Sequence, residues 1–252
     1  MRLGLSLGYA PPGTNPVELI ELAQDAERLG YDSAWASEAW GTDAVTVLSW
    51  LAARTTTIGI GSAALQLPAR TPACTAMTAA TLDLMSGGRF RLGLGTSGPQ
   101  VVEGWHGQPW GNPLEWTREY VEVLRRAWRK ETVELHGSQV RIPFDGPGAT
   151  GLGKPLALMM RPLRSEIPVY LAATGPRNVS LAFEIAEGWL PIFYSPEHAG
   201  DLRPGASPEG FDVAPTVTVV VDEDLAAARD AVRPMLALYV GGMGARGKNF
   251  YN

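Results

Sequence analysis

Sulfur and imidazole are scarce in this chain. A single cysteine, Cys74, excludes an intramolecular disulfide framework and a thiolate zinc cluster. The three histidines, His106, His136 and His198, stand far apart, so no metal site is expected. No stretch approaches the roughly 18 apolar residues of a membrane-spanning helix, and the mean hydropathy is −0.02. The first seven residues carry one charge and too short an apolar run for a secretory signal. Positive charge is also in short supply: 21 basic against 26 acidic residues gives a net charge of −5. That excludes a nucleic-acid binder that works by neutralising phosphates. The expectation is a soluble, cytoplasmic protein with a small-molecule substrate and neither nucleic acid nor membrane as partner.

What the chain does have is enough apolar material, 45% of 252 residues, to bury a substantial core. Its 29 glycines and 20 prolines are dispersed, which reads as many tight connections. Leu3, Leu5 and Leu7 alternate with small residues as a first strand, and Gly13 falls in the following turn. Asn15-Pro16 opens a helix with Glu18 completing a capping box, and Gly30 closes it. The same rhythm recurs: a strand at 33–37, a helix at about 43–53, a strand at 57–65 and a helix from Thr71-Pro72 to Met85, stopped by Gly87-Gly88. A strand at 90–96 and a helix from Asn112-Pro113 to Trp128, the fourth long helix, complete this half. Residues 132–135 and 139–142 look like a β-hairpin within an excursion spanning about 130–166. The βα pattern then resumes with strands at 169–173, 189–194 and 215–221 and helices at 176–187 and 225–238.

Strands alternating with helices through short turns mean a parallel sheet with helices outside. Seven units and short strands rich in Gly and Ala favour a TIM (β/α)8-type barrel over a doubly wound sheet, with an insertion after the fourth long helix. Residues 1–252 read as one barrel domain. An eighth βα unit is apparently absent, and residues 239–252 read as a Gly-rich loop entering an aromatic segment. The expectation is a C-terminally incomplete barrel.

In such a barrel the loops after the strands carry the chemistry. Glu38 follows the second strand and is a candidate general base or cofactor contact, or else a plain surface acid. The loop from Gln66 to Pro72 follows the third strand. Thr96, Ser97 and Gly98 follow the fourth and lead to Glu103, Trp105 and His106, with His106 a candidate proton partner. Trp40 and Trp105 are placed to flank a flat ligand. Ala173, Thr174, Gly175 and Pro176 run into a helix N-terminus, where free N–H groups and the dipole favour an anion. The same residues also make an ordinary tight βα turn. Cys74 reads as a small buried residue.

The runs 29–35 (LGYDSAW), 37–43 (SEAWGTD), 82–95 (LDLMSGGRFRLGLG), 97–107 (SGPQVVEGWHG) and 172–176 (AATGP) resemble the bacterial luciferase-like monooxygenase superfamily, in particular its coenzyme F420-dependent oxidoreductases. The resemblance covers nearly the whole chain. It implies a TIM-like barrel binding a deazaflavin at its C-terminal face, with the excursion lying over the mouth. It further implies a non-prolyl cis peptide at Ala63–Ala64 behind the ring and an acid, Glu38, beside it. Thr96, Ser97 and Gly98 become further cofactor contacts, and Ala173–Pro176 the loop holding the phosphate. The activity implied is hydride transfer at the deazaflavin C5, with Glu38 or His106 as proton partner. The alternatives are an FMN-dependent monooxygenase and a non-catalytic flavin-binding barrel. Members acting on sugar phosphates and alcohols have a His after the acid; here that position is Ala39. A homodimer built on the second and third helices is also implied.

Overall fold

The computed structural model describes residues 1–9, 15–202 and 205–242. The turn at Gly13 and the stretch 243–252 lie outside the described residues. In chain order the elements are β1 (Gly4–Gly8), α1 (Pro16–Arg28), β2 (Ser33–Ala36), α2 (Ala44–Arg54), β3 (Gly59–Ser62), β4 (Leu65–Gln66) and α3 (Pro72–Met85). β5 (Phe90–Gly95), α4 (Pro99–Gly104), α5 (Pro113–Trp128), β6 (Leu135–His136), β7 (Arg141–Ile142) and β8 (Val169–Leu171) follow. The last are α6 (Pro176–Ile185), β9 (Gly188–Trp189), α7 (Ala199–Leu202), β10 (Asp212–Val213) and α8 (Leu225–Ala237).

The parallel sheet runs β1-β2-β3-β5-β8-β9-β10, with β4 pairing β5 beyond the end of β3. Each strand pairs with the next in chain order, which is the α/β barrel arrangement. The sheet curls far enough for Arg2, ahead of β1, to pair with Asp212 of β10 at 2.9 Å.

Side-chain alternation divides the strands between two cores. Ala34, Ala36, Val169 and Leu171 join the apolar layer under the helices. Trp35 and Tyr170 lie on the opposite face, their rings edge to face with centroids 5.3 Å apart. The Trp35 indole N–H donates to Ser33 Oγ at 2.9 Å. Rings of this size fit only because neighbouring strands carry glycine. A Cβ at Gly61 would overlap Trp35, and one at Gly188 would overlap Tyr170. At Gly93 a Cβ would overlap the Ser62 carbonyl, while Ser62 Oγ donates to Gly93 O and accepts from Gly93 N, both at 2.9 Å.

The helix starts follow their signals. Asn15, Asp43, Thr71 and Asn112 cap α1, α2, α3 and α5 with their side chains. Asn15 accepts from Val17 N–H, one residue earlier than the capping box requires. Gly87 and Gly88 end α3 at φ of 66° and 84°.

Five readings of the sequence are corrected. The 57–65 strand is two strands, β3 and β4, split at Ala63–Ala64, whose peptide bond is cis as the resemblance implies. Residues 99–104 form the short helix α4 rather than loop, and 238–242 form a π-helical turn. The sixth strand covers only 188–189 instead of 189–194. The seventh lies at 212–213 rather than 215–221, and Val217, Val219 and Val221 are exposed. The reason is proline. Ala214 N–H still bonds Trp189 O at 2.9 Å and Thr216 N–H bonds Pro191 O at 3.3 Å. Pro191 has no N–H to return to Ala214 O, so the ladder stops.

Carboxylates fasten the connections, two of them, Glu119 and Asp83, buried. Glu119 on α5 accepts the N–H groups of Ser138, Gln139 and Val140 at 2.6–2.8 Å, fixing the β6–β7 hairpin. Asp83, fully buried, pairs with Arg164, which also donates to Phe90 O at 2.6 Å and so returns the excursion to β5. Glu27 accepts the N–H groups of Thr56, Thr57 and Ile58 before β3. Among the described residues no helix is long and apolar enough to cross a membrane.

Two outcomes follow. Gly93→Ala should lower the unfolding free energy in urea by more than about 3 kcal/mol. Gly200→Ala, where a Cβ meets nothing within 4 Å, should stay within about 0.5 kcal/mol. Burial by itself would raise the Glu27 carboxyl, but the Ile58, Thr57 and Thr56 hydrogen bonds bring it down from 4.5 to about 2. A folded value below the unfolded one gives stability that is present above pH 4.5 and lost as pH falls towards 2. The melting-temperature gap between wild type and Glu27→Gln should therefore close across that window. A constant gap would contradict the role assigned to Glu27.

Candidate functional site

The loops at the C-terminal strand ends converge on Glu38. Its carboxylate takes both terminal nitrogens of Arg70, Nη1 at 2.7 Å and Nη2 at 2.9 Å, a bidentate pair. The backbone N–H of Gln66 at 3.3 Å and of Ala44 at 3.4 Å complete its shell. The side chains are 7% and 15% exposed. Arg70 also pairs with Asp43, the cap of α2. The Arg70 carbonyl accepts from Tyr120 Oη of α5 at 3.0 Å. One guanidinium thus joins the loop after β2, the start of α2 and the loop before α3. Burial works against the Arg70 charge, but Glu38 and Asp43 together raise its pKa.

His106 follows α4. Burial lowers its imidazole below 6.5; Glu38 pulls it up and Arg70 pushes it further down. It is therefore neutral near pH 7. Gln108, two residues on, donates from Nε2 to Pro68 O at 3.2 Å, tying this loop to the segment carrying Arg70.

Beside this cluster the strand ends are nearly bare of side chains. A Cβ on Gly95 would sit 3.6 Å from the Cβ atoms of both Ala64 and Ala172. Ala64, Gly95 and Ala172 thus bring the ends of three neighbouring chain segments together with nothing larger than methyl groups between them. Ser97 turns the chain at φ 61°, and Thr96 Oγ1 donates to Ser97 O at 3.3 Å.

Past β8, Ala173 is buried while Thr174, Gly175 and Pro176 are exposed. Gly175 caps α6 without a side chain. The Val179 N–H turns back to Gly175 O. Pro176 has no N–H, so the free donors are those of Arg177 and Asn178. A cavity of about 320 Å³ adjoins this loop, walled by Thr174, Trp189, Phe193, Tyr194 and His198.

The structure thus brings Glu38 and His106 to one cluster and Ala64 to the bare strand ends, and sets Ala173–Pro176 at a helix start. Glu103 is exposed on α4, and Trp40 and Trp105 are 47% and 66% exposed. Cys74 is half-buried rather than buried, near the start of α3. Gln66 and Arg70 lie in the loop read from the sequence, but no role was legible for them. The available signal was Glu38 itself, since a buried carboxylate demands a cation. Among the described residues no group of His, Cys, Asp and Glu is suited to hold a metal.

The whole chain, residues 1–252, matches the family model described as luciferase-like monooxygenase. The Mycobacterium tuberculosis protein named putative coenzyme F420-dependent oxidoreductase Rv3520c is 50% identical over 265 residues, spanning 100% of this chain and 76% of that protein. A 5,10-methylenetetrahydromethanopterin reductase of Methanolobus tindarius is 28% identical, over 92% of this chain and 70% of its own length. The solved coenzyme F420-dependent tetrahydromethanopterin reductase of Methanopyrus kandleri superposes with a TM-score of 0.76 at 27% identity. That match covers 96% of this chain and 73% of the other.

Removing one partner of the buried pair strands the other. Arg70→Met should cost about 3–5 kcal/mol, and the double replacement of Glu38 and Arg70 by Met should recover more than half of it. Urea unfolding of the two variants decides; additive losses would mean the pair is not coupled.

Proposed function

The chain belongs to the luciferase-like monooxygenase family, and we propose that it is an F420-dependent oxidoreductase transferring a hydride between the deazaflavin and an organic substrate. The observation that carries this reading is 50% identity along the full chain to a relative named for F420 dependence.

The residues present fit such a cofactor. The methyl-lined strand ends at Ala63, Ala64, Gly95 and Ala172 leave room for a flat ring to approach the backbone. Thr96, Ser97 and Gly98 edge that space. Thr174, Gly175 and the free N–H groups of α6 would hold the phosphate, with Ala173 and Pro176 shaping the turn. When bound, the deazaflavin supplies a carbon, C5, that gives or accepts hydride. The protein's part is to place the substrate against it and to manage the accompanying proton. His106, neutral near pH 7, is suited to accept one. Glu38, with both oxygens engaged by Arg70 and two amides, acts as the anchor of the mouth rather than as a free base. On this reading residues 1–252 serve as one barrel domain. The apolar surface left on α2 and α3 by Trp50, Met77, Leu84 and Met85 supports pairing of two copies there.

Titration with F420 and with FMN, followed by visible absorbance, tests the reading. F420 should bind, and FMN binding in its place would overturn it. Gly175→Asp fits the cap sterically, at φ −89° with open space around the Cβ. Because Asp is itself a good N-cap, stability should hold while F420 affinity falls roughly tenfold or more through repulsion of the phosphate. Unchanged affinity would move the phosphate elsewhere.

A further inference from the structure

Among the described residues, two buried side-chain atoms lack any hydrogen-bond partner, Gln66 Oε1 and His106 Nε2. Buried polar atoms are nearly always paired, because an orphan is costly. Gln66 belongs to the firm rim of the barrel, its backbone N–H on Glu38 and its Nε2 on Ala39 O. His106 does not. It lies in the stretch 105–111, which has no regular structure, so something has to hold its imidazole out of water.

The backbone of this loop folds back only on α4. Trp105 and His106 donate their N–H groups to Val101 O at 3.0 and 3.1 Å, and Gln108 N–H donates to Val102 O at 3.1 Å. Gly107 and Gly111, at φ 63° and 58°, stand on either side of Gln108 and leave the chain there conformationally free. The bond from Gln108 Nε2 to Pro68 O, 3.2 Å long, crosses from the loop to a residue 40 positions away. Pro68 is buried in the 3₁₀ turn Leu67–Ala69. That turn is pinned at both ends, since Gln66 and Arg70 each bond Glu38. Gln108 itself is exposed. Burial therefore does not dictate its place, and its bond to the turn does.

We propose that Gln108 is a positioning residue for His106: its bond to Pro68 O clasps the loop onto the rim and keeps the imidazole buried, with Nε2 engaged by neither protein nor water. A protein partner or a water would occupy the nitrogen; the clasp leaves it unoccupied. Burial is the largest influence on the His106 charge, ahead of the opposed effects of Glu38 and Arg70, so releasing the clasp changes the imidazole before anything else. The inference rests on the reading of His106 as proton partner, but the clasp operates without cofactor.

Diethyl pyrocarbonate acylates neutral imidazoles that it can reach, and peptide mass spectrometry reads the three histidines separately in the full protein. The side chains of His136 and His198, 50% and 77% exposed, are internal standards. His106 is already neutral near pH 7, so slow reaction there reports burial. In wild type His106 should react more slowly than either standard. Gln108→Met keeps the length of the side chain and removes the donor. It should raise the His106 rate about fivefold, as loss of one hydrogen bond predicts, with the other two rates unchanged. In the same variant the His106 pKa, followed by NMR, should rise towards 6.5, while the melting temperature stays within about 3 °C. A merely structural role for Gln108 would lower the melting temperature and leave the His106 pKa where it was. An unchanged His106 rate in Gln108→Met, or a wild-type His106 as reactive as the standards, overturns the proposal. Failure of F420 to bind wild type would sink the cofactor reading separately, since the histidine rates are measured without it.

Discussion

The inside of the curled sheet has to be filled, and two rings do it. Trp35 and Tyr170 meet across the strands, each demanding that a neighbouring strand give up its side chain, at Gly61 and Gly188. The exchange between Ser62 Oγ and the Gly93 backbone locks the same strands where they approach most closely. Small residues near the bottom and middle of the strands therefore reflect packing. At Gly95, by contrast, a Cβ would meet only the methyl groups of Ala64 and Ala172, each at 3.6 Å, and no ring.

At the mouth the organising force changes from shape to charge. Glu38 and Arg70 are nearly removed from water, and together with Asp43 and two backbone amides they form a fully paired group. Such a group orders three connections at once. Against it, the two unpaired atoms of Gln66 and His106 stand out as the unfinished part of an otherwise complete network.

Local signals were legible in the sequence. Asn-Pro and Thr-Pro pairs marked helix starts to the residue, and Gly87-Gly88 marked an end, because capping depends on neighbours a few positions apart. The barrel-type order of strands and helices was legible for the same reason. The lengths of the last strands were not. Alternating valines at 217–221 read as a strand, but a strand exists only where its partner can bond it, and Pro191 withholds the return donor. Nor was the anchoring of Glu38, since Arg70 lies 32 residues away and only the fold brings them together. The resemblance located the cis peptide at Ala63–Ala64, whereas the partners of Glu38 emerged only from the geometry.

The bond from Tyr120 to the carbonyl of Arg70 joins α5, an outer helix, to the mouth at 3.0 Å. Its hydroxyl also sits 2.5 Å from Thr75 Oγ1 on α3. A chain of hydrogen bonds therefore runs from the outer helices to the loop that carries Arg70. Residues along it can adjust the angle of the Arg70 segment, and with it Gln66, without ever touching a bound molecule. Substitutions on α3 and α5, behind the wall of the barrel, therefore bear on where the Arg70 segment sits.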